Sequence, residues 1–283
     1  MDVSRRIARA LMRTLLPRRW KVALRRSARQ RRWIAPLPVQ YPFWQMMREE
    51  PSARPPYKWG LLCAASLARN LGVETISAIE FGVAGGNGLL ALGRLAAEVQ
   101  RLTGVAIDVY GFDTGTGLTK PEDHRDLPQL WSEGFYAMDE PALRARLESA
   151  RLVLGPVEDT EPGFVESRPA PIGFVAFDLD MYHPTMAAFD IFRRTPELVL
   201  PRVTCYFDDL IGFSHGDFSG ERLAISNFNE EGPARKISKI YGLRYVLTID
   251  QWWVEQMYML HAFDHPRYCD PDGSNRLDAL PLH

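Results

Sequence analysis

The sequence predicts an α/β protein: a Rossmann-like, mostly parallel seven-stranded sheet with helices on both faces and an antiparallel strand pair at the C-terminal end. Three observations predict it. Short apolar runs alternate with amphipathic stretches, the pattern of parallel strands joined by crossover helices. A glycine cluster stands where the first such run meets the next stretch, GVAGGNG at residues 82–88. Aspartates close three later runs, at the carboxyl ends where open sheets of this kind bind ligands.

The elements are taken in chain order. Residues 1–35 carry twelve Arg or Lys against one acid, Asp2, about +11, while the whole chain has a net charge of −1, so the remainder is near −12. Ile7, Leu11, Leu15 and Leu16 fall at helical spacing, and Trp20 and Leu24 extend the apolar set beyond Pro17. Residues 1–40 are therefore expected to form a basic amphipathic arm and residues 41–283 a single catalytic domain. Pro51, Pro55 and Pro56 mark the entry, and residues 57–71 read as a helix with Leu61, Leu62, Ala65 and Leu67 toward a core. ISAIEFGV (76–83) is a buried strand, and LLALGRLAAEVQRL after the glycines is a helix. Strands at 105–113 and 151–157 flank a helix at 139–150, and strands at 172–180 and 203–209 flank a helical stretch at 184–194. LRYVLTID (243–250) and VEQMYMLHAF (254–263) read as the closing antiparallel pair.

Composition excludes several classes. Cys63, Cys205 and Cys269 stand in no metal-binding or disulfide spacing, which fits a reducing, cytoplasmic setting. There is no apolar run of membrane-spanning length and no signal-peptide pattern. An arm of this charge suits an anionic membrane surface, a partner, nucleic acid phosphates or its own domain. The acidic remainder argues against a nucleic-acid enzyme, since its groove would be basic.

Two constellations carry chemistry. Glu80, Gly82, Gly86 and Gly88 make E-x-G-x-x-x-G-x-G at a strand-to-helix turn, where glycines let a ligand approach the backbone. Asp113 ends the next strand, where an acid accepts hydrogen bonds from both hydroxyls of a ribose. The spacing differs from the dinucleotide pattern, and acidic Glu80 suits a nucleoside without phosphate, so S-adenosylmethionine is preferred over NAD(P) and over a purely structural turn. The second constellation is FDLDMYHPT (177–185). Asp178 and Asp180 lie two apart on one face of an extended segment and converge on one cation or one proton. FDLD also opens a haloacid-dehalogenase-like phosphatase motif, and DxD marks metal-dependent glycosyltransferases. The first normally begins its fold, and the second has no use for GVAGGNG. A non-catalytic scaffold with the same fold is the third alternative.

EFGVAGGNG, GFDTGTGLTKPED, FVAFDLDMYHPT and YFDDLIG together, in order and spacing, resemble the macrocin O-methyltransferase family of metal-dependent sugar O-methyltransferases. The likeness spans residues 57–263. It implies a class I methyltransferase fold, S-adenosylmethionine as methyl donor, Mg²⁺, and a sugar hydroxyl as acceptor. By position, Gly82, Gly86 and Gly88 would line the methionine part of the cofactor and Asp113 would hold its ribose. Asp178, Asp208 and Asp209 would be the metal carboxylates and Asp180 the general base. The chemistry is coherent: a sugar hydroxyl is a poor nucleophile, and a divalent cation with hard oxygen ligands plus a carboxylate acceptor for the proton would activate it.

The chain departs from that family after Asp180, where Met181, Tyr182, His183, Pro184 and Thr185 replace the usual pattern, and at Thr116, Pro201 and Arg202. His183 is accordingly a candidate proton carrier or substrate contact, or else a neighbour of a helix start at Pro184. Trp131, Phe135, Tyr136, Trp252 and Trp253 are candidates for an acceptor pocket and equally for core packing. The expected partners are a small-molecule or glycan acceptor, with a homo-oligomer and membrane contact through residues 1–35 left open.

Overall fold

The structure, a computed structural model, describes residues 54–212, 215–247 and 251–270; the basic arm expected at 1–40 lies outside them. The elements are α1 (Pro55–Asn70), β1 (Thr75–Phe81), α2 (Asn87–Thr103), β2 (Ala106–Asp113), α3 (Glu140–Arg144), β3 (Arg151–Leu154), α4 (Val157–Glu166), β4 (Ile172–Phe177), α5 (Tyr182–Ala188), β5 (Val199–Phe207), α6 (Gly220–Glu230), β6 (Arg235–Lys239), α7 (Leu243–Leu247) and β7 (Met257–Ala262). The strand order is β3-β2-β1-β4-β5-β7-β6. Strands β1 to β5 pair in parallel, and β7 runs antiparallel between β5 and β6. This is the Rossmann-like class I methyltransferase sheet expected from the sequence. None of the described helices is long and apolar enough to cross a membrane.

Burial on both faces explains why the inner strands are continuously apolar: β4 (IGFVAF) is buried at every position. Alternation still sorts the side chains. Ile79 and Phe81 join the core shared with α4, α5 and α6, while Glu80 between them faces α1, where Tyr57 meets it. Phe81, Phe177 and Phe207 close β1, β4 and β5, and Phe112, in register with Phe81, is the last residue but one of β2. Their rings form a row, with centroids 5.0 Å apart for Phe81–Phe112, 5.6 Å for Phe81–Phe177 and 4.6 Å for Phe177–Phe207. The consequence lies one residue further on. Gly82, Asp178 and Asp208 leave their strands at a common level, with Asp113 the last residue of β2 beside them.

The C-terminal pair differs from the sequence expectation. On its outer side β7 pairs with Arg235–Lys239 and not with residues 243–247; residues 248–250 of the expected strand lie outside the described residues. RKISK contributes one fully buried apolar residue, Ile237, because β6 is the solvated edge of the sheet and its register is set by β7. In LRYVL the buried residues are Leu243 and Leu247, four apart, while Tyr245 and Val246 are exposed, and the segment forms helix α7. The helix expected at 139–150 is reduced to Glu140–Arg144, capped by the Asp139 side chain accepting from the Ala142 N–H.

Candidate active site

The carboxyl ends of the sheet open into a cleft of about 700 Å³ lined by residues that follow β1, β2, β3, β4 and β5. Its floor is the turn after β1. Gly82 sits at φ +85°, and a Cβ there would stand 1.8 Å from the Asp178 carbonyl oxygen, so the turn and the end of β4 approach as only glycine permits. Gly86, at φ +82°, precedes α2, and a Cβ there would strike Leu143. Gly88 has no positive φ; its place is fixed by Glu80, whose Oε1 would lie 1.9 Å from an added Cβ.

Glu80 is buried under this turn at 1% exposure. Tyr57 donates its hydroxyl to Oε1 at 2.5 Å, and Oε2 has no partner among the described residues. Burial pushes the Glu80 carboxyl up to about 8. Asp113 braces the same turn: Oδ2 accepts the N–H of Val83 at 2.9 Å and of Ala84 at 2.8 Å, and Oδ1 accepts that of Gly115 at 2.7 Å. Three of its roughly four acceptor positions are thereby used by backbone. The Arg54 guanidinium stands 5.2 Å from the Tyr57 ring centroid. Partial burial pulls its pKa down, but Tyr57, Glu80, Asp178 and Asp208 together hold it up.

Asp178, Asp208 and Asp209 converge. One carboxylate oxygen from each lies within 4.8 Å of the other two. Burial first, and then the neighbouring carboxylates, holds Asp178 and Asp209 well above the usual carboxylate range. Asp208 accepts from the Tyr206 hydroxyl, and the Gln256 side chain donates to its carbonyl. Behind Asp209 lies Glu221, fully buried on α6, whose Oε2 accepts the Asp209 N–H at 3.1 Å while Oε1 is unpartnered among the described residues. Three hard oxygen donors at this spacing, in excess over nearby positive charge, are a donor set that fits a divalent cation such as Mg²⁺.

Asp180 does not continue β4. It is the centre of a three-residue turn closed by the Met181 N–H to the Leu179 carbonyl at 2.6 Å, with φ +62°. Its N–H donates to Asp209 Oδ2 at 3.0 Å. Burial, followed by the Asp178 and Asp208 charges, raises its pKa too. The strain of a non-glycine residue in this conformation places the Asp180 carboxyl beside the three others rather than two strand positions away.

His183 lies in the first turn of α5, which begins at Tyr182 rather than Pro184. Nδ1–H donates to Asp126 Oδ2 at 2.7 Å, and Nε2 accepts from Arg125 Nη2 at 3.0 Å, the tautomer demanded by a donor-only guanidinium. Asp126 is buried and also accepts the N–H of His183 and of Glu122. Both ring nitrogens are engaged, so in this arrangement His183 fastens the loop after β2 to α5 and offers no nitrogen to a substrate proton.

Residues missed from the sequence are Tyr57, Asp126, Glu158 and Glu221, of which Glu158 lines the cleft after β3. Tyr57, Asp126 and Glu221 each lie far in sequence from the residue they pair with, and only pairing across elements reveals them. One local signal was present: GFD, AFD and YFD repeat Phe-Asp at three strand ends.

No protein-family model matches the chain, and a search of curated proteins finds no match. Solved structures with a related fold include CalS11, a calicheamicin methyltransferase, at 24% identity over 71% of this chain and 77% of that one, TM-score 0.49. A Podospora anserina methyltransferase bound to S-adenosylhomocysteine is 14% identical over 88% and 98%, TM-score 0.39. An O-methyltransferase from Bacillus cereus in complex with the same product is 14% identical over 90% and 95%, TM-score 0.38. At such identities and TM-scores these likenesses carry no weight for activity, which rests on the site itself.

Proposed function

We propose that this chain is an S-adenosylmethionine- and Mg²⁺-dependent O-methyltransferase acting on a hydroxyl of a sugar or glycosylated small molecule. The observation that carries it is the placement of the Asp178, Asp208 and Asp209 cluster in the same cleft as the glycine turn over Glu80. A phosphatase or a glycosyltransferase would use the carboxylates and leave that turn, with its orphaned buried oxygen, without a role.

Both groups fit the residues present. Gly82 and Ala84 of the turn line the cleft, where their backbone can meet a ligand, and Glu80 Oε2 beneath them is a buried acceptor suited to the ammonium of a methionine moiety. Asp113 retains acceptor capacity for a ribose hydroxyl. S-adenosylmethionine supplies an electrophilic methyl group on a sulfonium, and Mg²⁺ supplies a Lewis acid that acidifies a hydroxyl. Asp178, Asp208 and Asp209 would hold the cation beside the acceptor. Asp180, with its raised pKa, takes the hydroxyl proton on its carboxylate. The Gly82 turn is braced by Asp113, the Asp209 carboxylate by the Asp180 N–H and the Asp208 carboxylate by the Tyr206 hydroxyl, which favours alignment of the reacting atoms.

Calorimetric titration of S-adenosylmethionine and S-adenosylhomocysteine, with and without Mg²⁺, tests the proposal. Micromolar binding of either is expected. No heat from either ligand in the presence of metal would refute it.

A further inference from the structure

The loop between β2 and α3 is clamped at two places. At its base, Leu118 N–H donates to the Phe135 carbonyl at 2.8 Å and Gly134 N–H to the Leu118 carbonyl at 2.9 Å. A Cβ on Gly117 would stand 2.4 Å from the Phe135 oxygen, so this approach requires glycine. Further along, Asp126 ties the loop to α5 through His183. What the clamps present to the cleft is a pair of aromatic rings.

Trp131 and Tyr136 both line the cleft, with centroids 6.2 Å apart and planes inclined by 59°. Neither behaves as core. Tyr136 is 54% exposed and sits at φ +64°, a conformation a tyrosine rarely adopts. Its ring lies in the field of Asp180, Asp209 and Asp178, which, after its partial burial, raise the pKa of its hydroxyl. The Trp131 indole Nε1 is buried and has no hydrogen-bond partner among the described residues. An amphipathic ring with an unused donor, next to a tyrosine lining the same cleft as the carboxylate cluster, is what a polyhydroxylated ring with one apolar face requires.

Charge narrows the ligand. Among the described residues, besides the three metal carboxylates, Asp113, Asp180, Glu122 and Glu158 line the cleft, against Lys120 and His183, with the Arg54 guanidinium in the field of Asp178 and Asp208. The nearby Arg125 is held by Asp123 and donates to His183. Carboxylates remain in excess even after a divalent cation and a sulfonium are added, so an anionic acceptor would enter against like charge.

We propose that Trp131 and Tyr136 form the acceptor wall of this cleft and that the acceptor is an uncharged glycoside, not a uronate or a nucleotide sugar. The proposal rests on the methyltransferase reading above for the presence of an acceptor at all. Saturation-transfer NMR on the full chain, loaded with S-adenosylhomocysteine and Mg²⁺, tests it with three probes: methyl β-D-glucoside, methyl β-D-glucuronide and thymidine diphosphate. The glucoside should receive the strongest saturation, and Trp131→Ala and Tyr136→Ala should each lower it roughly fivefold while cofactor-product affinity stays within about twofold. Stronger saturation of the glucuronide or thymidine diphosphate, abolished by Lys120→Ala, would overturn the charge assignment. Unchanged glucoside signals in both aromatic variants, or no saturation of any probe, would overturn the wall. If S-adenosylhomocysteine itself fails to bind, the methyltransferase reading falls separately, and the same spectra on the Mg²⁺-loaded chain still decide whether the rings bind a sugar.

Discussion

Replacing Glu80 by glutamine isolates the buried carboxyl beneath the glycine turn. Burial raises this group from 4.5 to about 8, so the folded chain without ligands holds its proton through a pH range in which the unfolded chain has lost it. Its contribution to stability is therefore fully present below about pH 4.5 and is lost as pH rises through about 8. At roughly 1.4 kcal/mol per unit, the upper limit of that loss is about 4 to 5 kcal/mol, and relaxation around a buried charge brings the expected loss to roughly 2 to 3 kcal/mol. Glutamine keeps an acceptor for Tyr57 and never ionises. Urea unfolding of both proteins without ligands, at pH 5, 7 and 8.5, should accordingly show nearly equal stability at pH 5 and a variant more stable by roughly 2 to 3 kcal/mol at pH 8.5. Cofactor-product affinity should move the opposite way, falling roughly 10- to 100-fold in the variant as the partner of the ligand ammonium is lost. A stability difference that does not change with pH would refute the buried charge, and unchanged affinity would refute its role as the ammonium partner.

Four further outcomes are expected. Asp209→Asn should abolish the rise in melting temperature caused by Mg²⁺, because the cation loses one of three carboxylates; an undiminished rise would remove Asp209 from the site. Mg²⁺ affinity of the unaltered chain should increase between pH 6 and 8, by up to about tenfold per unit for each proton displaced from the raised Asp178 and Asp209 carboxyls, and a pH-independent affinity would count against the cluster. Gly82→Ala should cost more than about 3 kcal/mol, since a positive φ coincides with a collision against the Asp178 carbonyl; a normal unfolding midpoint would show that the turn yields. If residues 1–35 anchor the protein to a membrane, the full chain should sediment with vesicles rich in anionic lipid and removal of those residues should release it; retention would place the contact elsewhere, and no sedimentation of the full chain would remove it.

Local signals in the chain suffice for the sheet and its chemistry-bearing ends. Strand-to-helix alternation, glycines at the first turn and aspartates closing later apolar runs are such signals, because a parallel sheet buried on both faces writes its strands as apolar runs and its ligand edge as the residues immediately beyond each run. The convergence of Asp178 with Asp208 and Asp209 was legible for that reason: residues at the ends of adjacent parallel strands must meet. Packing between distant segments settles the rest. RKISK becomes a strand because β7 supplies its hydrogen bonds, and LRYVL becomes a helix because Leu243 and Leu247 have a core to face. Asp180 reaches the cluster through a strained turn that no propensity predicts. Both nitrogens of His183, the candidate proton carrier, are engaged by Asp126 and Arg125, 57 and 58 residues away, a pairing no local signal shows. A side chain's partners are set by packing across elements, and the hydrogen-bonding capacity left over after those partners are satisfied decides whether it can act on a ligand.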